Sequence, residues 1–326
     1  RKDHMNFKML EDYWFVLCES HDVKTQPKSF KILNKDIAVY RTDEQKVVAF
    51  IDKCPHRNVP VSDGKVCNKN LVCAFHGWEF NEDGNCVKVP GMMEKEKVRA
   101  PKLKKYDIIE QEGLVWICLN PNTTKKPYIP THLSDPSLKS NSHRTHLKCG
   151  SLDIAENFLD PFHTPFVHAG IIRTESKRYR NQITPAYTDD GLEVVYLKDQ
   201  PQSGFISLFG PEVRKDIGRF RMPGIIELEY YSEKQLEFVN TMYITPRSET
   251  ESSIYFKASL RPFKIPVFLV EWIAGFAIKF ALNQDRDILE KQTEIKQKFG
   301  AAYANTELDI VRRQLENFYE GNGKFV

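Results

Sequence analysis

Cys54-Pro-His56-Arg-Asn-Val-Pro60, answered by Cys73-Ala-Phe-His76-Gly-Trp78, is the stretch on which the reading of this chain turns. Two Cys–His pairs, one spaced C-x-H and the other C-x-x-H, are separated by sixteen residues. Two thiolates and two imidazoles suit a tetrahedral zinc ion. They equally suit a [2Fe–2S] cluster with sulfur on one iron and nitrogen on the other. A zinc ribbon usually places about two to four residues inside each ligand pair, and the first pair here holds only one. The cluster is therefore favoured, with zinc and with plain core or disulfide cysteines as the alternatives. Pro55 fixes the first turn, and Gly77 lets the backbone approach closely after the second.

Working outward, a chain of 326 residues has room for two cores of ordinary domain size. Its 47 basic and 44 acidic side chains leave a net charge of +3, which gives no footing for nucleic acid as a partner. The seven cysteines are an odd number, and the N-terminus lacks signal-peptide character. Both features point to a reducing, cytoplasmic setting rather than a disulfide-stapled secreted domain. The most apolar run, Ile265 to Lys279, is interrupted by Glu271 and falls short of the roughly eighteen residues a membrane span needs. It is expected to be a buried helix, without stable membrane insertion.

Residues 13–52 read as short strands: Tyr13–Cys18, Lys31–Tyr40 around a polar turn, and Lys46–Ile51 leading into the first Cys–His pair. Trp78–Gly84 runs into an Asp-Gly turn, and Gly113–Leu119 supplies a last apolar strand. A connector with Pro121, Pro127, Pro130 and Pro136 then marks a boundary. Beyond it a helix is expected from Leu152 to Pro161, followed by strands at Leu192–Leu197, Gly204–Phe209, Gly224–Tyr231, Leu236–Ile244 and Ser253–Leu260. Helices follow over Ile265–Lys279, Asn283–Lys298 and Thr306–Phe318, the last with Thr306 as N-cap and Leu308, Val311, Leu315 and Phe318 on one face. The expected class is α+β: an N-terminal all-β domain over residues 1–125, then residues 126–326 as an antiparallel sheet covered by helices.

The second domain opens with Asp160-Pro-Phe-His163-Thr-Pro-Phe-Val-His168. Two imidazoles and one carboxylate form the facial triad of non-haem Fe(II), which leaves positions open for O2. The alternative is a pair of ordinary core or surface histidines. The carboxylate must come from distant sequence, and spacing alone does not choose among Asp285, Asp287 and Glu290 on one expected helix. Phe205, Phe209, Met222 and Tyr243 are candidate pocket residues, or equally plain sheet core.

With both motifs in view, the sequence resembles the Rieske-type mononuclear non-haem iron oxygenases, the α-subunits of ring-hydroxylating dioxygenases and of O- and N-demethylating monooxygenases. The resemblance covers nearly the whole chain and leans to the monooxygenase and demethylase side. It implies that Cys54 and Cys73 hold one iron of the [2Fe–2S] cluster, and His56 and His76 the other. It implies that His163, His168 and Asp285 hold mononuclear Fe(2+), that Asp160 bridges to a cluster histidine of a neighbouring subunit, and that Asn157 stands beside the iron. It further implies a homotrimer that takes electrons from NAD(P)H through a separate reductase or ferredoxin. With O2, such an enzyme hydroxylates or oxidatively demethylates a small aromatic or cyclic substrate. The rivals are a cis-dihydroxylating dioxygenase, a Rieske electron-transfer protein with a non-catalytic ligand-binding domain, and a zinc ribbon joined to a lipid-binding domain.

Overall fold

The computed structural model describes residues 5–93, 99–171, 181–198, 212–261 and 267–321. It divides into two compact units, Phe7–Pro127 and Tyr128–Val326, the second joined by the residues up to Asn6. The start of the chain thus groups with the second unit, where the Asn6 N–H donates to the Tyr319 carbonyl at 3.2 Å.

The first unit begins with a short helix, α1 (Phe7–Leu10), and is otherwise strands. These are β1 (Trp14–Glu19), β2 (Lys28–Ile32), β3 (Lys35–Arg41), β4 (Val47–Ile51), β5 (Lys65–Cys67), β6 (Asn70–Val72), β7 (Glu79–Phe80), β8 (Cys86–Lys88), β9 (Lys105–Gln111) and β10 (Leu114–Cys118). An antiparallel sheet runs β1-β10-β9-β4-β3-β2, and a smaller one runs β5-β6-β7-β8. Between them lies an apolar cluster of Tyr40, Phe50, Val61, Leu71, Phe80 and Leu103 that also takes in Cys54 and Cys73. The two sulfurs are therefore part of this unit's core.

The second unit contains β11 (Lys139–Leu147), α2 (Ser151–Leu159), α3 (Thr164–Val167), β12 (Asn181–Thr188), β13 (Gly191–Lys198), β14 (Lys215–Arg221), β15 (Ile225–Tyr231), β16 (Leu236–Ser248), β17 (Glu251–Leu260), α4 (Val267–Phe299) and α5 (Ile310–Glu320). Its antiparallel sheet runs β11-β17-β16-β15-β14-β13-β12, so β12 to β17 form a continuous meander and β11 closes the far edge. Helix α2 packs on one face: the Phe158 ring meets Phe256 edge-on at 5.9 Å, and the Leu159 carbonyl accepts the Tyr196 hydroxyl at 2.8 Å. No helix among the described residues is long and apolar enough to cross a membrane.

Several expectations change. Strands β5, β6, β8, β9, β11, β12 and β14 are additions to the sequence reading, and the segment Gly204–Phe209 lies outside the described residues. The two helices expected over 265–298 are one continuous α4, because Phe280-Ala-Leu282 offers nothing to break it. Helix α5 starts at Ile310 with Asp309, not Thr306, at its N-cap position. The Thr306 hydroxyl instead donates to Asp309 Oδ2 at 2.8 Å in a preceding turn, which leaves Leu308 exposed and off the buried face.

Candidate metal centres

The two Cys–His loops share one backbone frame despite their different spacings. In the first, the Cys54 N–H donates to Val59 O at 2.8 Å and the Asn58 N–H to Cys54 O at 2.9 Å. In the second, the Cys73 N–H donates to Trp78 O at 2.9 Å and the Gly77 N–H to Cys73 O at 3.0 Å. The fourth residue after each cysteine closes the loop in the left-handed region, Asn58 at φ 64° and Gly77 at φ 68°. Asparagine and glycine are the residues that tolerate this region best. A Cβ at Gly77 would also press on Pro90 Cγ at 3.1 Å.

This frame sorts the donors by depth. Cys54 and Cys73 are 1% and 3% exposed, whereas His56 is half-buried and His76 exposed. The two imidazoles lie 4.6 Å apart, centroid to centroid, at 68°, and Trp78 stacks flat on His56 at 4.3 Å. Burial pushes the Cys54 thiol up and the adjoining Cys73 thiol adds to this, against the pull of the His56 backbone N–H. Burial, His76 and Arg57 hold His56 down. Two neighbouring thiols in an apolar cluster ionise only if a metal takes up the charge. A sulfur end inside and a nitrogen end outside fit a [2Fe–2S] cluster whose irons have different ligands.

The second centre is built by three helices. Helix α2 stops at Leu159 because Pro161 follows, and the Asp160 Oδ1 at its C-cap accepts the Phe162 N–H at 2.8 Å. The four-residue α3, with Pro165 in its first turn, has His163 before it and His168 after it. Their rings meet at 5.2 Å and 77°. From α4, Asp285 Oδ1 comes within 3.1 Å of His168 Nε2 and 3.6 Å of His163 Nε2. The donor atoms of all three lie within 4.8 Å of one another. Asp287 is exposed, and Glu290 Oε1 accepts the Lys148 N–H at 2.9 Å, so the fold turns only Asp285 of the three candidates to the histidines.

The surroundings fix how these groups face. His168 Nδ1 lies 3.0 Å from Gln284 Oε1, which can only accept, so the ring hydrogen sits on Nδ1 and the Nε2 lone pair faces Asp285. Two acceptors 3.1 Å apart need a proton or a cation between them. Burial pulls the His168 pKa down, but contact with Asp285 and Gln284 outweighs it and the net direction is up. His163 Nδ1 is buried and accepts or donates no hydrogen bond, with Asp160 Oδ2 3.6 Å away. The Asn157 side-chain amide donates to Asp285 Oδ1 at 3.1 Å. A buried carboxylate with two imidazole nitrogens aimed at it fits a ferrous ion with open positions.

Two family models divide the chain. The Rieske [2Fe-2S] domain matches residues 13–107, and the vanillate O-demethylase oxygenase C-terminal domain matches residues 147–314, just over half of the chain. The chain belongs to the Rieske oxygenase family. This Rieske oxygenase is 28% identical over 306 residues to the vanillate O-demethylase oxygenase subunit of Pseudomonas sp. (strain HR199 / DSM 7063), covering 86% of this chain and 84% of that one. It is 26% identical over 297 residues to the chloroplastic protein TIC 55 of Pisum sativum, covering 86% of this chain but 52% of that one. The chain thus spans about half the length of this chloroplast relative. The crystal structure of dicamba monooxygenase bound to 3,6-dichlorosalicylic acid superposes with a TM-score of 0.85 at 21% identity, over 96% of this chain and 97% of that one. At that identity the likeness establishes the fold.

Sequence reasoning missed the part played by Gln284, since adjacent residues on a helix do not share a face and nothing marked it as an orienting group. Tyr243, a candidate for the pocket or for plain sheet core, is buried; it alternates with Met242, which pairs with Phe256 under α2, so it points to the side of the sheet away from α2. Phe205 and Phe209 lie outside the described residues, and Met222 is buried beside the β14–β15 turn.

Proposed function

We propose that this Rieske oxygenase couples O2 and electrons from a separate reductase or ferredoxin, drawn from NAD(P)H, to the hydroxylation or oxidative demethylation of a small aromatic or cyclic substrate. The observation that carries this reading is the convergence of His163, His168 and Asp285 in a chain that also carries the depth-sorted cysteine and histidine loops. The names of the vanillate O-demethylase relative and the dicamba monooxygenase structure support the demethylating side. The odd number of cysteines, seven, suits a reducing compartment better than a disulfide-stapled one, and we assign the protein to the cytoplasm.

When bound, the cluster supplies single electrons and the ferrous ion supplies open positions for O2. Cys54, His56, Cys73 and His76 would hold the first, and His163, His168 and Asp285 the second. Gln284 keeps the His168 lone pair turned inward, and Asn157 steadies the Asp285 carboxylate. Burial of His168 and Asp285 keeps water from competing at their donor atoms. Asp160 remains about one-third exposed, with Oδ2 turned toward His163 Nδ1. In a homotrimer that atom would share a proton between His163 Nδ1 and a cluster histidine of the neighbouring copy, linking the centres across the subunit boundary.

The test begins with anaerobically purified protein, which should hold about three irons and two sulfides per chain. O2 uptake is then followed with methoxy- and N-methyl-substituted rings while formaldehyde release is measured. Matched formaldehyde and O2 indicate demethylation, and incorporation of both oxygen atoms from labelled O2 indicates the dihydroxylating rival. A fully loaded protein that never couples O2 uptake to any ring leaves the electron-transfer reading instead. Asp160→Asn should retain both metals and lose coupled turnover by at least about tenfold; unchanged turnover removes the bridging role.

A further inference from the structure

One polar side chain on the α2-bearing face of the sheet has no use in the assignments above. Asn240 lies at the middle of β16, directly opposite Leu228 on β15 and Ala258 on β17. Residues opposite one another in an antiparallel sheet project to the same side. That side is fixed by Gly218 on β14, the partner of Leu228: a Cβ there would touch Leu159 Cδ2 at 3.2 Å and Leu228 Cδ2 at 3.6 Å. Leu159 ends α2, one residue before Asp160 and two after Asn157. Asn240 therefore faces the catalytic side, level with the helix end from which the iron-site residues project.

Its neighbours there are apolar except for one phenol. Phe238 and Met242 lie before and after it on its own strand, Leu228 and Ala258 flank it, and Ile226, Tyr230, Phe256 and Leu260 occupy the diagonals, with the Tyr230 ring stacked on Phe238. Met242, Ile226 and Phe256 are fully covered, whereas Asn240 and Phe238 are half-buried, so the cover thins toward Asn240. Yet Asn240 Oδ1 is itself shut off from solvent and accepts no hydrogen bond. A buried acceptor without a donor is a net cost to folding, and an apolar side chain of the same size would avoid it. None of these eight sheet neighbours carries a charge to answer a carboxylate.

We propose that Asn240 is the polar anchor of the substrate pocket, and that it selects a neutral ring compound carrying a hydroxyl group as hydrogen-bond donor. The ring body lies against the Phe238–Leu228 side of the sheet, and the hydroxyl donates to Asn240 Oδ1. This deepens the oxygenase reading above and rests on it. Ionised ring acids are disfavoured, because none of the eight sheet residues around Asn240 Oδ1 brings a cation to meet a carboxylate.

The experiment compares the iron-loaded protein with its Asn240→Leu and Asn240→Ala variants. Binding is measured by calorimetry for ring systems of one to four rings, each supplied as the hydroxyl compound, its methyl ether and the matching carboxylate. In at least one ring size the hydroxyl form should bind about tenfold or more tighter than the other two. Asn240→Leu should erase that preference and raise the melting temperature by about 2 °C, since it removes an unanswered acceptor. Overturning results are tighter binding of carboxylates, binding of no hydroxyl compound, or a hydroxyl preference that survives both substitutions. A lower melting temperature for Asn240→Leu also overturns the proposal, because it makes the residue structural. Ferrous content and O2 uptake of the unsubstituted protein, recorded in parallel, report separately on the oxygenase reading.

Discussion

At the scale of the residue, the orientation of His168 decides whether the second centre is a metal site. Gln284 presents an oxygen to Nδ1 and so commits Nε2 to the interior. Groups that orient a ligand in this way typically contribute about 10–100-fold to metal affinity. Gln284→Leu should therefore weaken ferrous binding by about that factor, while Gln284→Glu, which keeps an acceptor, should retain it. Anaerobic ferrous titration reads the difference, and equal affinities for the two variants would show that Nδ1 needs no partner. Glu227 supplies a second prediction. Burial drives its carboxyl up, but hydrogen bonds from His132 and Tyr128 and the charge of Arg221 outweigh it, and the net direction is down. A depressed folded-state pKa stabilises above the unfolded value of about 4.3 and is lost as pH falls through the folded value. The stability gap between the unsubstituted protein and Glu227→Gln should be widest above about pH 5 and close in acid, as read by urea unfolding across pH 3–7.

At the scale of the element, helix α2 holds Asn157 and Asp160 in place because a charged network ties it to α4 and α5. Arg312, 1% exposed, donates through Nη1 to Asp153 at 2.7 Å and to Glu156 at 2.9 Å, and Lys296 on α4 reaches the other oxygen of Asp153 at 2.7 Å. Removing one member of a buried ionic cluster costs about 3–5 kcal/mol. Arg312→Met should lower the melting temperature by roughly 10 °C on that basis. Glu156→Gln should change it little, since burial already pushes that carboxyl up and an amide oxygen can still accept from Arg312. A drop as large for Glu156→Gln would mean that its charge, not its hydrogen bond, holds the helices. None of this network was legible in sequence, where each member looks like ordinary surface charge. The Cys–His loops were legible because their donors are close in sequence and bounded by Pro55 and Gly77. Asp285 was not separable from Asp287 and Glu290 by spacing, since only packing of α4 decides which faces inward. Strand β11 escaped because its residues are mostly exposed and polar, and β12 because it contains Pro185, which an edge strand tolerates. Strand β14 escaped because four of its seven residues are charged, with Arg219 bridging Glu193 and Glu229 across neighbouring strands.

At the scale of the whole molecule, the first unit has two sheets and the second has one, and each unit has its own apolar interior and its own set of candidate metal donors. Cys73 belongs to the first unit's core and His163 to the loop between α2 and α3 of the second, and no donor is shared between the centres. Metal loading should therefore separate. His163→Ala should lose the mononuclear ferrous ion while keeping the visible absorption and acid-labile sulfide of the cluster. Cys73→Ser should lose both the colour and the sulfide while the second unit still binds about one ferrous ion per chain. Cys73→Ser should also destabilise the first unit well beyond the loss of one sulfur contact, because metal-binding free energy is folding free energy when the donors sit in the core. Iron and sulfide analysis with a visible spectrum on the two variants checks all three statements. Loss of both metals from either variant would show that the centres assemble as one. A colourless unsubstituted protein carrying zinc would return the Cys–His loops to the ribbon reading.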